Sequence, residues 1–169
     1  VCKYVHLLSP GILDKIAKHF IHLLLTLRHR GAFSSVERPL SSVLKHGFAF
    51  PEIKQRFSEI LQVALETEEI SCTRRSAGLP HLILAIVHSC SKSCEIDELL
   101  ALLIPRLIEK SEESPSLIHA FNITRSLIRD SKLAPELSRH IGAVALMCLR
   151  PFNSTSWSVR NASSMLLSS

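Results

Sequence analysis

Apolar residues recur at every third or fourth position along most of the chain, which is the spacing of amphipathic helices. No stretch shows the strict apolar–polar alternation that predicts a strand. The predicted helices cover approximately residues 10–28, 32–46, 51–69, 76–87, 95–110, 116–130, 134–149 and 156–168. The pattern therefore predicts an all-α chain.

Several positions predict local features of these helices. Residues 82–87 are apolar on all sides, so we expect this helix to be the most buried. Pro39 is expected to break the second helix and Pro105 to kink the fifth, because proline lacks an N–H and clashes with an earlier carbonyl. Polar connectors are predicted at 70–75 and 111–115. The predicted buried stripe of the seventh helix consists of Leu137, Ile141, Val144 and Cys148.

An Arg-x-Ala signature recurs along the chain at a near-constant spacing. Its alanines, counting one in a degenerate copy without the arginine, are 45, 43 and 42 residues apart. This is the period of HEAT/armadillo helix-pair repeats, which must stack because a single repeat cannot bury its own apolar face. We therefore expect residues 1–169 to form one α-solenoid segment of about four helix pairs, a fragment of a larger protein. The four copies are Arg30-Gly31-Ala32, Arg75-Ser76-Ala77, Ile118-His119-Ala120 and Arg160-Asn161-Ala162.

Composition adds a mildly basic charge and few other constraints. The 169 residues carry a formal net charge of +5, which is compatible with a nucleic-acid partner without requiring one. The five cysteines show no zinc-site spacing, so we expect reduced, metal-free thiols in a cytoplasmic protein. No apolar run approaches the length of a membrane span, and we expect no membrane partner.

One predicted helix places polar side chains on a single arc. Asn122, Arg125 and Arg129 are spaced i, i+3 and i+7, while Phe121 and Thr124 fall on a neighbouring arc toward the core. An amide and two guanidiniums in a line are suited to phosphates or to a partner's carboxylates. The alternative is an ordinary solvated helix face.

A denser candidate is the segment from Arg74 to Pro80. Arg74 and Arg75 precede a helix, where their charges oppose the helix dipole, and this indicates an external anionic partner near these arginines and Ser76. Gly78 lacks a side chain where something approaches closely, and Pro80 is tolerated only in the first turn.

The arginines of the repeat signature have a structural interpretation as well. Arg30, Arg75 and Arg160 are expected to pair with acids of an adjacent repeat, because charges tucked between elements need partners. Arg74 lies outside the signature and is the better functional candidate. Arg160 and Asn161 also lie near Trp157, which we expect to pack between repeats rather than to stack on Arg160. The positions assigned to the structural motif are Arg30, Ala32, Ala77, Pro80, Ala120, Trp157 and Ala162.

Catalytic and metal-binding patterns are absent from the sequence. No serine elbow, phosphate-binding loop or HExxH motif occurs. The histidine pair His19 and His22 and the cysteine pair Cys90 and Cys94 lack further ligands at a useful spacing. We expect neither an enzyme nor a small-molecule substrate.

Three linked motifs together resemble the conserved core of the THADA family. They are Arg74-Arg75-Ser76-Ala77-Gly78-Leu79-Pro80, His119-Ala120-Phe121-Asn122-Ile123 with Arg129-Asp130-Ser131, and Trp157-x-Val159-Arg160-Asn161-Ala162. His29-Arg30-Gly31-Ala32-Phe33 is also similar to that family, although Ser34 and Ser35 stand where family members usually carry an acid.

The resemblance implies a large cytosolic armadillo/HEAT-type scaffold. Fungal members of the family bind an FtsJ-like methyltransferase and direct it to the anticodon loop of tRNA. The methyl donor, S-adenosylmethionine, would belong to that partner, so we expect no cofactor in this chain. The leading hypothesis is a non-catalytic scaffold for 2′-O-ribose methylation of tRNA. The alternative is a HEAT-repeat adaptor that binds proteins and does not contact RNA, and an enzyme in its own right is the third reading.

Overall fold

A computed structural model describes residues 4–27, 29–66, 78–109 and 115–169. These ranges contain helices and turns and no strand, which confirms the predicted all-α class. The α-helices are α1 Pro10–Thr26, α2 Arg30–Gly47, α3 Phe50–Glu66, α4 Gly78–Val87, α5 Ser93–Ile108, α6 Pro115–Ile128, α7 Ala134–Leu137, α8 Ile141–Leu149 and α9 Trp157–Leu167. Short 3-10 helices cover Val5–Leu7, Ser131–Leu133, Ser138–His140 and Arg150–Asn153. The predicted connectors at 70–75 and, except for Pro115, at 111–115 lie outside the described residues.

The helices stack in two layers. In layer 2, α2 packs against α4, α4 against α6, and α6 against α9. In layer 1, α3 packs against α5, which in turn packs against α7 and α8, and α1 joins α3 through an ion pair. The order along the chain alternates between the layers, so the predicted solenoid-like stack of about four helix pairs is confirmed.

Contacts between neighbouring helix pairs reproduce the repeat period. Side chains that hydrogen-bond from one pair to the next are 42 to 44 residues apart in sequence. Equivalent residues of stacked parallel helices lie side by side, so a contact separation equal to the repeat length is what stacked repeats produce. The contacts join Asp14 to Arg56, Glu37 to His81, Lys54 to Glu98, Ser93 to Glu136, Asp97 to Arg139 and Arg125 to Ser169.

The central helix α4 is buried along its whole length. Every residue from Gly78 to Val87 except His81 is buried, which confirms the expectation for the all-apolar run. α4 packs against α1, α2, α3 and α6, and a helix with neighbours on all sides needs no polar face. The position of His81 shows where α4 reaches the surface.

Pro39 does not break its helix, contrary to the prediction. α2 runs without interruption through Pro39, and the carbonyl left without a donor belongs to the exposed Ser35, where water can replace the missing N–H. Buried side chains on both sides of the proline hold the helix against its neighbours. They are Phe33, Val36, Leu40, Val43 and Leu44.

The single helix predicted over 134–149 is also wrong. A 3-10 turn, Ser138–His140, separates α7 from α8, and the Ser138 hydroxyl donates to the Pro135 carbonyl at 2.7 Å. A side chain that bonds three residues back favours the tighter turn and shifts the helical phase. Leu137, Val144 and Cys148 are buried as predicted, whereas Ile141, the first residue of α8, is 50% exposed.

Candidate nucleic-acid interface

Charge is distributed unevenly between the two layers. The helices of layer 1 carry eight acids against five arginines and lysines, whereas those of layer 2 carry one acid, Glu37, against five. The cations of layer 2 are Arg30, Arg38, Lys45, Arg125 and Arg160. Arg129 and Asp130 follow directly after α6 and add one charge of each sign. The basic character of the chain is therefore concentrated in layer 2.

In layer 1, three of the five arginines and lysines on the helices are paired with carboxylates. Lys18 lies 2.8 Å from Asp14, and Arg56 contacts the same carboxylate from α3. Hydrogen bonds from Lys18 and then Arg56 hold the pKa of Asp14 below its usual value. Two further pairs join neighbouring repeats, Lys54 to Glu98 at 2.7 Å and Arg139 to Asp97 at 3.1 Å. These cations serve the stacking of the helices.

In layer 2, the arginines lack carboxylate partners among the described residues. Arg125 Nε donates to Ser169 Oγ at 3.3 Å, and Arg160 Nη1 donates to the carbonyls of Ser154 and Thr155 at 2.6 and 3.0 Å. The exposed guanidinium of Arg129 makes no hydrogen bond or ion pair within the described ranges. Neutral acceptors leave the guanidinium charge uncompensated, so these side chains keep the ability to attract an anion.

The carboxylates on the layer-2 side face histidines. Glu37 Oε2 lies 2.5 Å from His81 Nδ1, and its Oε1 lies 3.9 Å from His88 Nδ1. His88 Nε2 lies 2.8 Å from Asp130 Oδ2, although its N–H is not aligned for a hydrogen bond. The contact is therefore close without having the geometry of a well-formed hydrogen bond.

The predicted arc on α6 is present. Asn122 and Arg125 are half-buried and Arg129 is exposed, while Phe121 and Thr124 are buried on the core side. The Thr124 hydroxyl is satisfied by the Ala120 carbonyl at 2.8 Å, so no polar group of this inner arc needs an outside partner. The functional candidates of α6 thus point away from the core, as the spacing predicted.

Gly78 has a structural explanation. A Cβ at this position would clash with the backbone carbonyl of Leu24, because α4 begins against the C-terminal turn of α1. The close approach predicted at Gly78 is confirmed, but the approaching group is the chain itself. Pro80 is the third residue of α4 and lies in its first turn, as expected. Arg74, Arg75, Ser76 and Ala77 lie outside the described residues, and their role stays a prediction.

The alanines of the repeat signature lie at or near the core. Ala120 and Ala162 are buried and Ala32 is half-buried. Arg30 is the first residue of α2, and its side chain is not among those described. Among the described residues Arg160 pairs with no acid, and its guanidinium donates to the loop carbonyls that precede its own helix.

Trp157 packs little against the described helices of this chain, so its packing between repeats stays a prediction. Its side chain is 69% exposed at the first position of α9. The buried face of α9 consists instead of Val159, Ala162, Ser163 and Leu166. The amide of Asn161 is exposed on the outer side and contacts Met165 Sδ at 3.7 Å.

The sequence analysis missed the four side chains that connect α2, α4 and the end of α6. A signal for them existed. His81 lies on α4 and His88 follows directly after its end, seven residues on, so both fall on the same side of this helix. Glu37 precedes His81, and Asp130 follows His88, by one repeat length each. Contacts at the repeat period are predictable only after the stacking of the helices has been assumed.

Three cysteines of the described ranges, Cys90, Cys94 and Cys148, are free thiols. Burial, reinforced by the charge of Glu95, raises the pKa of Cys90 to about 12. Among the described residues, no group of three or more His, Cys, Asp or Glu side chains is placed to hold a metal ion. Within the same ranges, no helix combines the length and apolar character that a bilayer crossing requires.

Comparison with known proteins gives consistent relatives. Residues 3–158 match the family described as "THADA/TRM732, DUF2428". The chain is 33% identical over 184 residues to a Canis lupus familiaris protein named tRNA (32-2′-O)-methyltransferase regulator THADA. Proteins of the same name from Gallus gallus and Drosophila melanogaster are 32% and 28% identical over 178 and 183 residues.

These matches cover nearly all of this chain and a small part of each relative. They span 96%, 96% and 95% of the chain but only 9%, 9% and 10% of the dog, chicken and fly proteins. No solved structure matches the chain. Because the family match extends over most of the sequence, the chain belongs to the THADA/TRM732 family.

Proposed function

We propose that this chain is part of a non-catalytic scaffold that partners an FtsJ-like methyltransferase in 2′-O-ribose methylation of the tRNA anticodon loop. Its relatives are named regulators of a tRNA (32-2′-O)-methyltransferase, which supports an auxiliary role in that reaction. The methyltransferase would bind S-adenosylmethionine, and the scaffold would act in the cytoplasm as one segment of a longer HEAT-type solenoid.

The observation that carries the proposal is the basic face of layer 2. This face, defined by Arg38, Lys45, Arg125, Arg129 and Arg160, has no carboxylate paired with its arginines or lysines among the described residues. Phosphates are the anions that tRNA presents at regular spacing, and arginines contact them without reading base identity. The proposed mode of binding is therefore contact with the tRNA backbone.

The proposed contribution to catalysis is positional. A scaffold that holds tRNA against the methyltransferase replaces a loose encounter by an oriented one, which lowers the entropic part of the barrier. Contacts remote from the reacting nucleotide provide binding energy that fixes its position. Arg74, Arg75, Ser76 and Asn122 extend the candidate surface in this proposal.

The second candidate function, a protein-binding adaptor without RNA contact, is favoured by a different observation. Large apolar side chains are exposed on the last helix pair, where they form part of the surface of α8, the turn after it and α9. In a longer HEAT-type solenoid such a face would pack against a following repeat, and the same apolar surface is suited to a partner protein. The residues are Ile141, Leu146, Leu149, Phe152, Trp157, Met165 and Leu167.

A methylation assay with labelled methyl donor distinguishes the two functions. The reactions compare the FtsJ-like methyltransferase alone, with this protein, and with its Arg129→Ala and Arg74→Ala variants. Arg106→Ala is the matched control, because Arg106 is an exposed arginine of layer 1. We expect the protein to raise methylation of full-length tRNA, the Arg129→Ala and Arg74→Ala variants to lose much of that gain, and the control to retain it. Equal turnover in all five reactions would remove the scaffold hypothesis and leave the adaptor.

A further inference from the structure

Glu37, His81, His88 and Asp130 form a chain of alternating acids and imidazoles across layer 2, here called the histidine bridge. It begins on α2, crosses α4 and ends just after α6, so it joins three successive repeats. All four side chains are between 17% and 29% exposed, so they lie at the edge of the core and are not fully solvated.

Packing fixes the bridge on its α2 side. The ring of Phe33 stacks on His81 with centroids 5.6 Å apart, and Phe33 is itself buried. His81 thus has its ring plane set by Phe33 and its Nδ1 set by Glu37. A side chain restrained by two contacts loses little further freedom on holding a carboxylate.

The opposite end of the bridge is fixed through Asp130. Its Oδ1 accepts the backbone N–H of Lys132 at 2.9 Å while Oδ2 faces His88 Nε2. Both nitrogens of His88 face carboxylate oxygens, Nε2 at 2.8 Å from Asp130 Oδ2 and Nδ1 at 3.9 Å from Glu37 Oε1. The carboxylates of Glu37 and Asp130 therefore face the histidines at α4 rather than solvent.

Glu37 and Asp130 are each next in sequence to an arginine, which links the histidine bridge to the basic face. Glu37 precedes Arg38, and Asp130 follows Arg129, so each carboxylate is adjacent to an arginine of the basic face. Consecutive side chains of a helix do not face each other, but a carboxylate released from its histidine would add a negative charge beside the basic face and would repel an approaching phosphate. Like charges placed across an interface cost affinity.

We propose that the histidine bridge keeps the layer-2 face receptive to phosphates, by holding Glu37 and Asp130 away from Arg38 and Arg129 while it locks α2, α4 and α6 side by side. His81 and His88 are positioning residues in this view, and they act on tRNA through the acids they engage. The inference rests on the proposed function, since it assumes that the basic face binds tRNA.

The test is a mutant cycle on His88 and Asp130, read by the affinity for a full-length tRNA transcript at fixed salt. His88→Ala should weaken binding by about three- to tenfold, since it releases one carboxylate beside Arg129. Asp130→Asn alone should bind at least as well as the unmodified protein. The double variant should recover binding to within about twofold, because it has no carboxylate left to release.

Two further variants separate this effect from loss of structure. His88→Gln puts an amide N–H, which can turn toward Asp130, in place of the ring and should retain most of the affinity. His22→Ala removes an exposed histidine of layer 1 and should change nothing. Thermal unfolding of each variant reports stability separately, and a purely structural role for His88 predicts a double variant at least as impaired as His88→Ala.

The outcomes are distinct. If the unmodified protein does not bind tRNA, the proposed function fails and the inference fails with it. If the protein binds but His88→Ala binds equally well, or the double variant stays as weak as His88→Ala, the proposed function stands and the histidine bridge does not act as proposed. His88→Gln binding as weakly as His88→Ala would also contradict the proposal.

Discussion

The surroundings of each side chain decide its chemistry more than its type does, and the cysteines illustrate this. Cys90 and Cys148 are buried, and burial raises the pKa of both thiols because the thiolate is poorly solvated there. Cys94 is exposed at the start of α5. Since the thiolate is the reactive form, exposure and pKa act in the same direction.

Iodoacetamide should therefore modify Cys94 well before Cys90 or Cys148 in the folded protein. The measurement is mass spectrometry of tryptic peptides over a time course at pH 8, in a Cys2→Ser/Cys72→Ser background. Labelling in denaturant is the control, where the three thiols should react at similar rates. Cys90 reacting as fast as Cys94 in the native protein would contradict the described burial.

Asp14 gives a pH-dependent prediction at the same scale. Its pKa is lowered by hydrogen bonds to Lys18 and Arg56, so its contribution to stability is present above the ordinary value of 3.8 and is lost as the pH falls through the lower folded value. Asp14→Asn should be less stable than the unmodified protein in urea at pH 7. The difference should shrink at pH 3 and below, and a difference that is the same at both pH values would show that Asp14 forms no such link.

At the scale of helices, the packing of α4 depends on contacts with its neighbours as much as on its own sequence. Its first residue, Gly78, meets the Leu24 carbonyl at the C-terminal turn of α1. A backbone carbonyl cannot rotate aside as a side chain can, so added volume must displace a whole helix.

Gly78→Ala should destabilise the protein by about 1–3 kcal/mol, the usual cost of overpacking a dense interior. Gly142→Ala is the matched control, because nothing lies within 4 Å of its missing Cβ, and it should leave stability unchanged or raise it by up to about 1 kcal/mol. The measurement is the urea midpoint of each variant. Equal midpoints for the two variants would mean that Gly78 is kept for a partner rather than for packing.

Helix positions were largely predictable because the apolar spacing is local information. The bounds of α1, α3, α6 and α9 agree with the pattern to within a few residues. Two predictions failed where nearby contacts outweighed the local pattern. Packing on both sides of Pro39 maintains α2, and the Ser138 hydroxyl helps to form the turn that divides 134–149. Those contacts depend on tertiary neighbours and on hydroxyl geometry, which periodicity does not encode.

At the scale of the whole molecule, charge separates between the two layers of the stack. The arc of Asn122, Arg125 and Arg129 was predictable because one helix face determines it. The partners of the remaining charges were not predictable in the same way. Lys54 with Glu98, or His88 with Asp130, meet only when repeats stack in register. The 42-to-45-residue period of the sequence contains that register. Only the folded stack shows which charged side chains form ion pairs between repeats and which do not.

The salt dependence of tRNA binding tests the basic layer-2 face most directly. Affinity for full-length tRNA is measured from about 50 to 200 mM salt for the unmodified protein, Arg129→Ala and the layer-1 control Arg106→Ala. We predict a steep loss of affinity with salt, a slope shallower by about one unit for Arg129→Ala, and an unchanged slope for Arg106→Ala. An affinity independent of salt, or identical slopes for both variants, would contradict the phosphate-binding face.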